Sequence, residues 1–105
     1  MLKTDNIKLP EGLTKNGFSQ SNKKEDQIDK NKLGHIIEYI EMWFDKTKSI
    51  NKKRSSYSIK HTVERNIKVY VSNGELIASM IMCGYKYKAD GINCYFNVSI
   101  TEKSN

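Results

Sequence analysis

The sequence predicts an α+β fold in which three helices are followed by a C-terminal β-hairpin. Three observations predict it. Apolar residues recur with helical spacing after residue 32, a helix-start signal occupies Ser72–Glu75, and a two-residue turn signal, Asp90-Gly91, lies between alternating segments. The length of 105 residues favours a single domain.

The first helix is predicted in "NKLGHIIEYIEMWFDKTK", residues 31–48. Its apolar positions follow i, i+3, i+4 spacing and form one stripe: Leu33, Ile36, Ile37, Ile40, Trp43, Phe44 and Thr47. The side chain of Asp29 or Asn31 could cap its start. Lys46 and Lys48 lie at its C-terminal end, where cations complement the helix dipole.

The second helix is predicted from about Tyr57 to Arg65, because Ile59, Val63 and Ile67 recur every four residues. Ser55 or Ser56 can cap it. The following "IKVYV" is rich in β-branched and aromatic residues and is predicted to be extended.

The third helix, about 73–83, has the strongest local signals. Ser72 and Glu75 have the spacing of a capping box, Val71 and Leu76 occupy hydrophobic-staple positions, and Gly84 suits a left-handed C-cap. The outward positions are predicted to be Asn73, Glu75, Ala78, Ser79 and Met82. These include no Arg or Lys, so the pattern does not favour reading of DNA bases by this helix.

A hairpin around Asp90-Gly91 completes the predicted fold. Its register sets Tyr87 opposite Cys94 and Tyr85 opposite Phe96, with both tyrosines facing the core and Tyr95 facing outward. The order helix, helix, short strand, helix, hairpin predicts a winged helix-turn-helix-like domain. We assign it to residues 31–100, preceded by a mobile polar arm, residues 1–30, and followed by a tail, residues 101–105.

The formal net charge of +6 is unevenly distributed. The arm is nearly balanced, whereas "KTKSINKKR", Lys46–Arg54, holds five basic residues and no acidic one. Such a cluster suits a phosphate backbone or an acidic protein partner. A solvated loop remains the alternative interpretation.

The sequence predicts no enzyme, cofactor or metal site. His61 and Glu64, with Tyr57 and Lys60 nearby, are more typical of a capping or cross-helix hydrogen bond than of acid–base catalysis. Cys83 and Cys94 form no C-x-x-C pair, which favours reduced thiols and a cytoplasmic location. No apolar stretch is long enough to span a bilayer, and no signal peptide opens the chain.

Four motifs carry a family resemblance over Ser55–Ser99: SSY-x-x-KH-x-x-E, YVSNGE, GY and YFN-x-S. With these, the chain resembles small uncharacterised proteins of phages and mobile elements. Such elements carry small regulators and inhibitors of host defence, including anti-CRISPR proteins. The resemblance implies this genomic setting and supplies no mechanism.

Two functions are therefore expected, both non-catalytic. The first is a nucleic-acid-binding accessory or regulatory protein. The alternative is an anti-CRISPR-type inhibitor that binds a Cas effector or another host defence nucleoprotein. The partner is DNA or RNA backbone in the first case, the defence nucleoprotein in the second, and a homodimer is left open. The candidate contact residues are Lys48, Lys52, Lys53, Arg54, Lys60, Arg65, Asn73, Lys86, Lys88, Asn93 and Tyr95.

Overall fold

Three α-helices and two antiparallel sheets make up residues 8–100, the part of the chain that the computed structural model describes. The helices are α1 (Gly34–Trp43), α2 (Ser56–Ile67) and α3 (Asn73–Met82). The strands are β1 (Leu13–Thr14), β2 (Gly17–Phe18), β3 (Phe44–Ser55), β4 (Tyr87–Asp90) and β5 (Asn93–Ile100). Short 3-10 turns cover Lys24–Asp26 and Lys30–Lys32. The first seven residues of the predicted arm and the predicted tail lie outside the described residues.

The predicted architecture, three helices followed by a C-terminal hairpin of winged-helix type with a mobile arm, is wrong. A 12-residue strand, β3, separates α1 from α2 and pairs with β5, so the main sheet has the order β3-β5-β4. A second sheet, β1-β2, forms within the predicted arm. Residues 67–71 are not a strand, because α2 continues to Ile67 and Lys68 ends it in a left-handed conformation with φ 60°.

Helix α1 is shorter than its apolar stripe predicted. Phe44 has extended backbone angles and a buried side chain, so it belongs to β3 rather than to a longer helix. Asp29 caps the 3-10 turn by accepting a hydrogen bond from the Asn31 amide, and α1 begins two residues after that turn. The remaining apolar face, with Ile36, Ile37 and Ile40, enters the core as expected.

Helix α3 is the central helix of the core. Its capping box is confirmed: Ser72 accepts from the Glu75 amide while the Glu75 carboxylate accepts from the Ser72 amide. Gly84 ends it with φ 87°, as predicted. The predicted outward face is wrong, since α3 contacts α1, α2, β5 and the β1-β2 hairpin. Four positions expected at the surface are therefore buried: Asn73, Ala78, Ser79 and Met82.

The β1-β2 hairpin docks on the start of α3. The Gly74 amide donates to the Lys15 carbonyl at 2.8 Å, and the Phe18 amide donates to the Ile92 carbonyl at 3.0 Å. Leu13 and Thr14 are buried in this contact region. A Cβ at position 74 would overlap the Thr14 carbonyl oxygen. Only glycine allows the hairpin backbone to approach α3 this closely.

A hairpin forms at the predicted turn, but its register differs. Asp90 pairs with Asn93, so residues 91 and 92 form the loop and Tyr87 lies opposite Phe96. The shift of two residues preserves the alternation of faces. Tyr85 is buried as predicted, whereas Tyr87 is exposed and its ring stacks on Phe18, with centroids 6.1 Å apart.

Replacing Gly74 with alanine should destabilise the protein by about 1–3 kcal/mol, because the methyl group must displace the β1-β2 backbone. Chemical denaturation measures the free energy of unfolding. Gly34→Ala is the matched control, since position 34 also begins a helix but has no atom within 4 Å of the added Cβ. The control should leave stability unchanged or raise it by up to about 1 kcal/mol. Equal effects of the two substitutions would contradict the docking contact.

Candidate nucleic-acid interface

The basic cluster lies on β3, an edge strand of the main sheet. Lys46 pairs with Val98 and Asn51 pairs with Phe96, so four residues of β3 lie opposite the single residue Asn97. A second register shift follows between Asn51 and Ser55. Irregularities of this kind bend an edge strand away from its neighbour and redirect its side chains. They leave Lys48, Lys52 and Lys53 exposed along the sheet edge.

Two asparagines hold the irregular part of β3 against β5. Asn51 Nδ2 donates to the Val98 carbonyl at 3.0 Å, and Asn97 Nδ2 donates to the Thr47 carbonyl at 2.9 Å. Asn97 is buried, and its Oδ1 also accepts from the Lys86 amide at 2.7 Å. This one side chain of β5 therefore contacts both β3 and the residue that precedes β4.

An open groove of about 790 Å³ runs between β3 and the end of β5. Lys52 and Lys53 line it together with Asn51, Val98 and Ile100. Within residues 8–100, no carboxylate oxygen lies within 4.0 Å of the ammonium groups of Lys48, Lys52 or Lys53. The groove therefore presents positive charge that no acidic side chain of the described segment neutralises at contact distance.

Arg54 has a different role from its lysine neighbours. Its guanidinium folds onto α2, where Nε donates to Ser58 Oγ at 2.8 Å and Nη2 donates to Thr62 Oγ1 at 2.6 Å. Nη2 also lies 3.4 Å from the Ser58 carbonyl oxygen. These bonds occupy the planar fork that would otherwise clasp a phosphate. Arg54 clamps the end of β3 to α2.

The β4 side of the sheet supplies the other predicted contacts. Lys86 and Lys88 are exposed, and Lys88 is paired with Tyr95 across the hairpin. Tyr95 is half-buried, and its hydroxyl lies 3.3 Å from Asp90 Oδ2. Because β5 separates the two edge strands, the backbones of β3 and β4 are about 10 Å apart. The sheet thus brings together cations from distant parts of the sequence.

The remaining predicted contacts lie off the sheet or are used internally. Asn73 is buried, and its Nδ2 donates to the carbonyls of Asn16 and Ile92 and to Asn93 Oδ1. Its Oδ1 is buried and has no hydrogen-bond partner within residues 8–100. Arg65 is exposed near the end of α2. Asn73 and Asn93 therefore join the start of α3 to the arm and the hairpin turn.

Glu64 is the centre of a hydrogen-bond cluster on α2. Its carboxylate accepts from the Val71 amide at 3.1 Å, and lies 3.4 Å from Lys60 Nζ and 3.0 Å from His61 Nδ1. The Val71 N–H, and after it the charge of Lys60, lower the pKa of Glu64, although burial acts in the opposite direction. This cluster ties the loop after α2 back onto the helix. The sequence predicted a capping or cross-helix hydrogen bond for His61 and Glu64, whereas the observed bonds lie within α2 and reach the Val71 amide in the loop after it.

The two cysteines are free and buried. Burial raises the pKa of each thiol to about 12, with the charge of Glu41 adding to the effect at Cys83. Both thiols therefore stay protonated at neutral pH. The Cys94 side chain is buried in the core. Its backbone amide donates to Ser56 Oγ at 3.1 Å.

Comparisons with known proteins add no assignment to this interface. No protein-family model matches the chain, and neither a curated protein nor a solved structure matches it. Within residues 8–100, no group of three His, Cys, Asp or Glu side chains is placed to hold a metal ion. In the same part of the chain, no helix has the length and apolarity needed to cross a membrane. The resemblance to phage proteins and the cytoplasmic location stay predictions.

Replacing Glu64 with glutamine should make stability less sensitive to acid. Because the folded-state pKa of Glu64 is lowered, its ionised form contributes stability above its ordinary value of 4.5 and loses it as pH falls through the folded value. The variant should be less stable at pH 7 and decline less steeply below pH 4.5. Denaturant titrations against pH measure this, with Glu38→Gln as the exposed control. Parallel pH profiles for wild type and Glu64→Gln would rule out the charge contribution.

Native Cys83 and Cys94 should resist a thiol reagent such as Ellman's reagent at pH 8. Both thiols are buried, and their raised pKa leaves little thiolate to react. In denaturant, both should react at the rate of a free cysteine. Rapid labelling of the native protein would show that the described packing around them is wrong.

Proposed function

We propose that the chain binds the sugar–phosphate backbone of nucleic acid as an accessory or regulatory protein of a phage or mobile element. One observation carries the proposal: exposed lysines, without a carboxylate in contact among residues 8–100, lie on or beside the two edge strands of one sheet, and five of them are predicted contact residues. We call Lys48, Lys52, Lys53, Lys86 and Lys88 the sheet lysines.

Their chemistry supports backbone contact rather than base reading. An ammonium group binds phosphate as a point charge, and phosphate contacts position a protein without carrying sequence information. Helix α3 is buried on almost every side and therefore cannot enter a major groove. The net charge of +6 adds a long-range attraction to a polyanion. Binding should therefore be largely independent of base sequence.

A second function, inhibition of a host defence nucleoprotein such as a Cas effector, is favoured by an exposed apolar surface. Met42 is 73% exposed and Val69 55%, and both border a groove of about 290 Å³ that Trp43 also lines. Exposed apolar side chains around a groove suit a protein partner. A basic inhibitor would occupy an acidic or RNA-rich surface of that partner rather than imitate DNA.

Removing the β3 charges should weaken nucleic-acid binding and reduce its dependence on salt. Lys48→Gln/Lys52→Gln/Lys53→Gln removes three phosphate contacts, so the negative slope of log Kobs against log salt should become shallower by about 2.7 on duplex DNA or about 2.1 on a single strand. Fluorescence anisotropy at several salt concentrations measures both slopes. Lys23→Gln/Lys24→Gln/Lys32→Gln removes the same charge from exposed positions outside the sheet and is the control.

The two functions give different outcomes in this experiment. No binding of the wild-type protein to either nucleic acid at low salt would contradict the backbone proposal. Equal losses in the two triple variants would show that net charge, and not the sheet lysines, determines affinity. Binding to guide-loaded effector that survives high salt, and that is lost in Met42→Lys, would support the inhibitor.

A further inference from the structure

Two exposed tyrosines lie on either side of Lys60. Tyr57 is 54% exposed and Tyr70 is 74% exposed. The Lys60 ammonium lies over both rings, 5.5 Å from the Tyr57 centroid and 4.9 Å from the Tyr70 centroid. The ammonium lies on one side of each ring, and the His61 ring also contacts Tyr57, with the centroids 4.6 Å apart and the planes at 86°. Tyr70, the more exposed of the two, therefore offers the larger open ring surface.

The tyrosines border a groove of about 290 Å³, near the lower limit for small-ligand sites. Lys15, Asn16 and Ile92 complete its rim, while Lys60, Ser72 and Asn73 line it from the folded core. The ammonium of Lys15 has no carboxylate within 4.0 Å among residues 8–100. The groove therefore combines aromatic surface with an unneutralised cation.

Contacts within the fold fix the positions of the residues that line this groove. The Lys60 side chain is only 7% exposed and is fixed by Glu64, which also binds the Val71 amide next to Tyr70. The backbone of Lys15 is fixed on the rim because its carbonyl accepts from the Gly74 amide and its amide donates to the Asp26 carbonyl. Both walls are thus attached to the core before any ligand arrives, which lowers the entropy cost of binding.

We propose that this groove stacks an unpaired base of single-stranded nucleic acid on Tyr57 and Tyr70, with Lys15 contacting the adjoining phosphate. The inference rests on the proposed function and narrows its substrate class from any nucleic acid to a single strand. Every base has a π-face, so stacking on a tyrosine needs no particular sequence. In a duplex these faces are covered by neighbouring base pairs.

The position of the groove along the chain supports one continuous path for the strand. Tyr57 follows Lys53 by four residues, so their backbones are at most roughly 14 Å apart. A strand whose phosphates contact the β3 lysines can therefore continue towards Tyr57. Alternating cations and aromatic rings are the pattern by which proteins bind single strands without sequence preference.

The test compares a short labelled oligothymidylate with a duplex of equal length at low salt. Tyr57→Ala/Tyr70→Ala should weaken single-strand binding at least about fivefold and leave duplex binding unchanged. Tyr57→Phe/Tyr70→Phe should keep wild-type affinity because it retains both rings. Circular dichroism establishes that each variant is folded.

A cross-linking experiment locates the base directly. An oligonucleotide containing 5-iodouracil, irradiated in the complex, should become attached to the peptides that carry Tyr57 or Tyr70. Attachment elsewhere, together with unchanged single-strand affinity in the alanine variant, would overturn the inference while leaving backbone binding intact. Absence of binding to both nucleic acids would overturn the proposed function itself. Loss of effector binding in the alanine variant, with single-strand affinity unchanged, would assign the tyrosines to a protein partner and also overturn it.

Discussion

The burial of α3 is the constraint on which the rest of the structure depends. A helix covered by α1, α2, β5 and the β1-β2 hairpin has no solvent to satisfy its first amides, so the protein must supply acceptors there. Ser72 and the Lys15 carbonyl are two of them. The Lys15 backbone can come this close to α3 only because residue 74 is glycine. This contact makes the arm part of the folded unit. The position of the arm, one wall of the Tyr57–Tyr70 groove and the hairpin turn all follow from satisfying this one helix end.

Signals that act within a few residues were predicted well. The capping box, the Gly84 stop and the turn near Asp90-Gly91 depend on local backbone geometry, which the side chains nearby determine. Strand β3 could not be predicted in the same way. An edge strand with exposed lysines and two irregularities has no clean alternation, and its pairing depends on β5, which lies about fifty residues later. Nor does local pattern reveal that a polar arm covers the start of α3, which made Asn73 look external.

Some basic residues of the candidate site are exposed and others are bound within the fold, and residue type alone does not indicate which. Arg54 and Lys53 are neighbours in one basic run, yet Arg54 is hydrogen-bonded to Ser58 and Thr62 while Lys53 is exposed. The difference arises because the run ends where α2 begins, which places an acceptor face beside Arg54. Similarly, Lys60 is the most buried of the predicted cations, and its ammonium group contacts Glu64 and the rings of Tyr57 and Tyr70. Charge counts identified the positive region, and the fold determined which cations remain available.

Strand β3 also carries a consequence for how this protein can vary. As an edge strand it presents backbone N–H and C=O groups that another chain could pair with, and lysines along such an edge oppose that association. The β3 lysines that we propose as phosphate contacts are therefore the same residues that protect the open edge. A lineage that lost its ligand would still be under selection to keep charge on β3, because neutral replacements would favour aggregation. If related proteins kept lysine somewhere on β3, that alone would indicate selection for solubility. If they kept lysines at the same positions of β3, that would indicate selection for binding.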